Sequence, residues 1–126
     1  MKTDIFPKFC AYVCPGDSIE WNAEGFDFVA RLEHDGDTKP TDFDGYSEEL
    51  IKKWRDDEWF YGGLIVSVSK NGVPLSDHAA SLWGIDCNYG QDNDYLSEIC
   101  QDLQDEAIEA ARVELARIRH ALEVTA

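Results

Sequence analysis

The residues of this 126-residue chain best suited to metal or nucleophilic chemistry are its four cysteines and three histidines. Cys10, Cys14, Cys87 and His78 offer a set of thiolate and imidazole ligands that zinc accepts. However, the Cys10-x3-Cys14 spacing is looser than that of a zinc knuckle, and no second cysteine pair answers it. Cys100 falls on an apolar helical stripe, where a thiol serves as a small core residue. Asp77-His78 stands near Ser76 and Ser81 and offers acid, base and hydroxyl within a few residues. No nucleophile-elbow pattern surrounds those serines. His78 is therefore expected to make local hydrogen bonds. Asp35-Gly36-Asp37 and Asp42-Phe43-Asp44 group carboxylates as calcium sites do, without the twelve-residue loop and its closing bidentate Glu. Gly62-Gly63 has no phosphate-loop pattern and predicts a bulge or close packing within a strand. No metal, no cofactor and no catalytic residue is expected. The chain reads as a binding protein, not an enzyme.

Charge carries more information. Eleven Lys and Arg stand against 26 Asp and Glu, a formal net charge of −15. Such a balance disfavours direct binding to DNA, RNA or an anionic membrane, and favours a basic protein surface as partner. Between Asn71 and Ala111 there is no Lys or Arg, whereas that stretch holds nine acids. Asp94, Glu98 and Asp102 follow one another at i, i+4, and Asp105, Glu106 and Glu109 continue the row. On a helix, successive members stand about 6 Å apart along one face, comparable with the phosphates of a nucleic-acid strand. Like charges at this spacing destabilise a helix by a few tenths of a kcal/mol per pair. The plainer reading is a solvated face that confers solubility. A second acidic set, including Asp42, Asp44, Glu48 and Glu49, would extend the row into one large negative surface if it fell on the same side.

The elements that must position these residues are legible from periodicity. Residues 1–17 form an N-terminal arm closed by Pro15-Gly16-Asp17, with Phe9–Cys14 as a candidate short buried strand. Ser18–Asn22 and Phe26–Asp35 alternate apolar and polar residues around a glycine-containing turn and predict a hairpin. Ser47 is a helix N-cap ahead of Glu48 and Glu49, and Leu50, Ile51 and Trp54 form the helix's apolar stripe. Trp59–Ser69 and a returning strand from Val73 flank Asn71-Gly72, the strongest hairpin signal available. Pro74 and Ser76-Asp77-His78 predict an edge or bulge and a kink, after which Ser81–Asn88 resumes with Leu82, Trp83 and Ile85 as core residues. Residues 93–123 carry apolar residues at three- and four-residue steps with no Pro or Gly, a long amphipathic helix. The order is ββαββα. It predicts a single α+β domain over 1–126, an antiparallel sheet of about four strands covered on one face by a short helix and the long C-terminal helix. The Ala-rich stripe from Ala110 to Leu122 allows a homodimer. The aromatics Trp54, Trp59, Phe60, Tyr61 and Trp83 are assigned to the core, with some free to act as interface anchors.

No secretion signal or spanning segment is evident near Met1–Lys8 or elsewhere, so a cytoplasmic protein with reduced thiols is expected. Asp42-Phe43-Asp44, then Trp54-Arg55-Asp56-Asp57-Glu58-Trp59-Phe60-Tyr61 and Leu64-Ile65-Val66-Ser67-Val68, resemble small proteins of bacterial phages and prophages. So do Asp77–Ile85 and Asp92-Asn93-Asp94-Tyr95-Leu96, and the likeness spans about residues 26–111. That group carries no assigned activity. The resemblance implies a mobile-element accessory protein acting inside a bacterial host. By analogy of class and charge, it implies an anti-restriction or anti-CRISPR inhibitor that imitates DNA. Asp94, Glu98, Asp102, Asp105, Glu106 and Glu109 would then meet a basic nucleic-acid-binding surface of a host nuclease or CRISPR complex. Asp42, Asp44, Glu48 and Glu49 would support them. The alternative is a non-catalytic regulatory module, dimeric or not, that binds another mobile-element protein through its aromatic and Ala-rich surfaces.

Overall fold

A computed structural model describes residues 6–90 and 92–124. Two tight turns set the sheet. Strands β1 (Ser18–Ala23) and β2 (Phe26–His34) are joined by Glu24-Gly25 alone, at φ of 52° and 83°. Positive φ at both central residues gives the hairpin turn whose twist suits antiparallel strands. Asn71-Gly72, at 51° and 80°, repeats the device between β3 (Phe60–Lys70) and β4 (Val73–Cys87). β2 pairs with β3, so the order is β1-β2-β3-β4 and every pairing is antiparallel. A 3-10 turn at Pro40–Asp42 and helix α1 (Glu48–Arg55) lie between the hairpins, and helix α2 (Asp94–Glu123) follows them. The fold is α+β in the order ββαββα, as the sequence predicts.

One face of the sheet builds the main core. Phe26, Phe28, Ala30 and Leu32 of β2 meet Phe60, Leu64, Val66 and Val68 of β3 and Ala80, Ile85 and Cys87 of β4. Helix α2 closes this core with Leu96, Cys100, Ala107, Ile108 and Ala111, packing on β3 and β4. Burying one large apolar side chain contributes about 1.5–3 kcal/mol. That outweighs the few tenths lost at each acidic pair on the outer surface, so packing and not helix propensity holds α2. Trp21 adds a cross-link from β1, its indole N–H donating to Gln104 Oε1 at 2.8 Å. No described helix is long and apolar enough to cross a membrane.

Four expectations need correction. Phe9–Cys14 is no strand, although Phe9 and Val13 are buried. Its backbone is satisfied by side chains instead: Asn88 accepts from Val13 N–H and donates to Val13 O, and Asn93 donates to Ala11 O. The first five residues of the arm lie outside the described residues. β4 is one continuous edge strand whose irregularities absorb the kink at residues 76–80 and a second bulge at 83–84. The second bulge puts Trp83 on the opposite face from Ile85, and Leu82, opposite Leu64 at the sheet edge, is left 45% exposed like Trp83, so of the three core candidates there only Ile85 is buried. Finally, the short helix does not join α2 over the main core. Its Leu50, Ile51 and Trp54 are half-buried, and its anchor is Trp59, whose indole N–H donates to Leu50 O at 2.9 Å. Trp59 packs edge-on against Tyr61. Tyr61 alternates with Phe60 along β3 and so points to the opposite face from α2.

Candidate protein-binding surface

Two surfaces carry the unspent charge and aromatic area, one on each side of the sheet. The first is the outer face of α2. At about 100° per residue, Asp94, Glu98, Asp102, Asp105, Glu106 and Glu109 fall within a sector of about 120°. The buried positions Leu96, Cys100, Ala107 and Ala111 lie on the opposite side of the helix. All six acids are exposed. Among the described residues one of them has an ion-pair partner, Asp94 with Lys8 Nζ at 3.5 Å. The helix's own cations stand beyond the row: Arg112 pairs with Glu24 at 2.9 Å, and Arg117 holds Glu114. That neighbouring guanidinium keeps Glu114 below the usual carboxylate range. The result is a strip of carboxylates with Lys8 at its Asp94 end and no cation from α2 itself interleaved. Asp92 Oδ1 accepts from Asp94 N–H at 3.1 Å, and Asp94 lies in the first turn, where negative charge suits the helix dipole.

The second acidic set does not extend this strip. Asp42, Asp44, Glu48 and Glu49 are all exposed, but they belong to the loop and short helix attached on the Tyr61 side of the sheet. Here an aromatic layer takes the place of the aliphatic core. Tyr46 stacks on Trp59 at 5.7 Å, Tyr89 meets Trp59 edge-on at 4.9 Å, and Phe43 tilts over Tyr61 at 6.3 Å. Tyr61 donates its hydroxyl to Tyr46 at 3.0 Å. Burial and that hydrogen bond push its phenol well above the ordinary range, so it stays neutral. Phe43, Tyr46, Tyr61 and Tyr89 together with Asp44 and Asp86 line an open recess of about 590 Å³.

The loop over this layer is fastened by Asp35, which is buried. Its carboxylate accepts from Thr38 Oγ1 at 2.7 Å, Asp37 N–H at 2.9 Å and Gly84 N–H at 3.0 Å. Burial alone would raise its pKa, but these hydrogen bonds outweigh burial and hold it below the usual range. Asp35-Gly36-Asp37 is thus a turn anchor. Gly63 is a close-packing position, as its sequence suggests: a Cβ there would run into the Trp83 indole.

The remaining chemistry-bearing residues are dispersed. Cys10 and Cys14 are exposed and free, whereas Cys87 and Cys100 lie in the core. Burial pushes both core thiols up to about 12, which leaves them protonated and poor as nucleophiles or ligands. Among the described residues no three His, Cys, Asp or Glu side chains converge as a metal site would need. His78 Nε2 lies 2.8 Å from Ser81 Oγ on the exposed edge strand, and His78 N–H donates to Ser76 Oγ. Among the described residues no carboxylate hydrogen-bonds the other ring nitrogen. The contact is therefore a local clasp of the bulge. The Ala-rich stripe is partly consumed, since Ala111 is buried and Ala110, Leu115 and Ile118 pack against the core. Beyond Ala111 no described residue is buried.

Sequence reasoning missed the Asn88–Asn93 clasp and the roles of Tyr46 and Tyr89. The one available signal was the crowding of aromatics around short loops. Searches against protein-family models, curated proteins and solved structures returned no match for this chain.

Proposed function

We propose that this chain is a phage-type anti-defence protein that binds a basic, nucleic-acid-binding surface of a host nuclease or CRISPR complex. The unneutralised carboxylate strip on the outer face of α2 carries this reading. Glu98, Asp102, Asp105, Glu106 and Glu109 have no cationic partner among the described residues, and they repeat at a spacing a phosphate-binding groove accepts. A row of like charges is tolerated here because the core behind it holds the helix. Such a surface steers a basic partner from a distance and competes with nucleic acid for the same groove. The bacterial cytoplasm is the compartment this reading requires. The loop acids Asp42, Asp44, Glu48 and Glu49 lie on the other side of the sheet and take no part in this contact, and Asp42, Glu48 and Glu49 act on encounter rate alone.

The test is capture from nuclease-treated bacterial lysate. Wild type is compared with a variant in which Asp94, Glu98, Asp102 and Glu106 are changed to Lys. The reading predicts recovery of a DNA- or RNA-handling complex by wild type alone, lost as salt is raised and the Debye length shrinks below about 10 Å. Equal recovery by both proteins, or salt-insensitive recovery, would overturn it. The dimeric interaction-module reading retains some support from the exposed Val113, Leu122 and Val124 at the end of α2. A concentration-dependent change in mass abolished by Leu122→Glu would favour that module instead.

A further inference from the structure

We infer that the recess between the aromatic layer and β4 is a binding site for the guanidinium group of an arginine side chain presented by a partner protein. Its walls are four aromatic rings, Phe43, Tyr46, Tyr61 and Tyr89, and its two charged members, Asp44 and Asp86, are both acids. The rings are held from behind. Trp59 is 2% exposed and backs both Tyr46 and Tyr89, and the Tyr61–Tyr46 hydroxyl bond ties the two sides together. In front, Phe43 and Tyr89 are 54% and 39% exposed, so their faces remain available to a ligand.

Neither Asp44 nor Asp86 forms an ion pair among the described residues, and both lysines of α1 pair with acids of that helix and its C-terminal cap. Lys52 pairs with Asp56 at 2.7 Å and Lys53 with Glu49 at 3.7 Å. The neutral Tyr61 phenol adds no charge of its own. Aromatic faces attract cations through the ring quadrupole. Paired with carboxylates, they select a planar cation that can stack and donate in a fork, which is guanidinium in preference to a compact ammonium. The site lies on the face of the sheet opposite α2, and the inference stands on the recess alone, independent of the carboxylate strip.

The test is a heteronuclear NMR titration of the full chain with Nα-acetyl-arginine-N-methylamide. Saturable shifts at Phe43, Tyr46, Asp86 and Tyr89 are expected. The neutral citrulline analogue should give none, and the lysine analogue and tetramethylammonium should bind more weakly. Asp86→Asn and Tyr89→Ala should each weaken binding about two- to fivefold. Phe43→Ala, at an exposed position, should do the same with the spectrum of the rest of the protein unchanged. The variant with four lysines on α2 should bind arginine as wild type does. Absence of saturation, equal shifts with citrulline, equal affinity for tetramethylammonium, or loss of binding in the α2 variant would each overturn the assignment.

Discussion

The two sides of the sheet carry charge of the same sign and use it differently. On α2 the carboxylates are exposed, five of the six without an ion-pair partner among the described residues, spaced by the helix and backed by an aliphatic core. Their effect is long-ranged, additive and screened by salt. On the opposite side only Asp44 and Asp86 face the recess, set among aromatic rings whose attraction for a cation is short-ranged and strengthened by desolvation. Net charge is therefore a poor guide to what this protein binds. In the proposed reading the strip meets a basic surface and the recess takes one arginine side chain, and each depends on a different part of the fold.

The largest stability effect is expected on the α2 side. Asn93 is 1% exposed and accepts from Asn88 N–H while donating to Ala11 O and Asn88 Oδ1. Asn93→Ala leaves buried polar groups unpaired and should destabilise the protein by about 2–4 kcal/mol, with the arm released from the start of α2. Denaturant midpoints at constant m-value measure it. Shifts confined to the recess would break the division between the two regions.

Gly63→Ala acts on the other side. The new methyl displaces the Trp83 indole, at a cost of about 1–3 kcal/mol from overpacking. Resonances of the recess should move and those of the outer α2 face should not. Thermal unfolding and amide shift mapping check both halves of this expectation.

Acid should separate the regions next. Because the Asp35 carboxyl is held below its ordinary value, it contributes stability above its unfolded pKa of about 3.9. That contribution is lost as pH falls through the lower folded value. Amide exchange in the loop at residues 35–46 should therefore accelerate below about pH 4 before exchange in α2 does, and Asp35→Asn should remove the pH dependence. His78→Ala is expected to have the smallest effect, within about 0.5 kcal/mol, with partner capture intact. A large loss of capture would place function on β4 instead.

Much of this architecture was legible in the chain because its determinants are local. Asn71-Gly72 and Glu24-Gly25 announce their turns, Phe26 to Leu32 alternates for a half-buried strand, and the apolar steps of α2 run unbroken. The errors arose where distant residues decide. Phe9–Cys14 has the composition of a strand, but Asn88 and Asn93, some 75–82 residues away, occupy its backbone. Trp83 alternates correctly for the core until the bulge at residues 83–84 turns it outward against Gly63. The α2 row could be read directly from i, i+4 spacing. The recess could not, because Phe43, Tyr46, Tyr61 and Tyr89 meet only through the pairing of β3 with β4 and the return of the loop.

The most direct test of the α2 face as the working surface compares two variants of equal charge change. In one, Asp94, Glu98, Asp102 and Glu106 become Lys; in the other, the exposed Asp42, Glu48, Glu49 and Glu58, none of which lines the recess, do. Affinity for the captured host complex is then measured across a salt series. The account predicts that the α2 variant loses binding by about 100-fold or more, the equivalent of several charge-pair contacts. The loop variant should keep its equilibrium affinity within about threefold while associating more slowly. Equal losses in both variants would make overall charge the determinant and contradict the account, as would a loss confined to the loop variant.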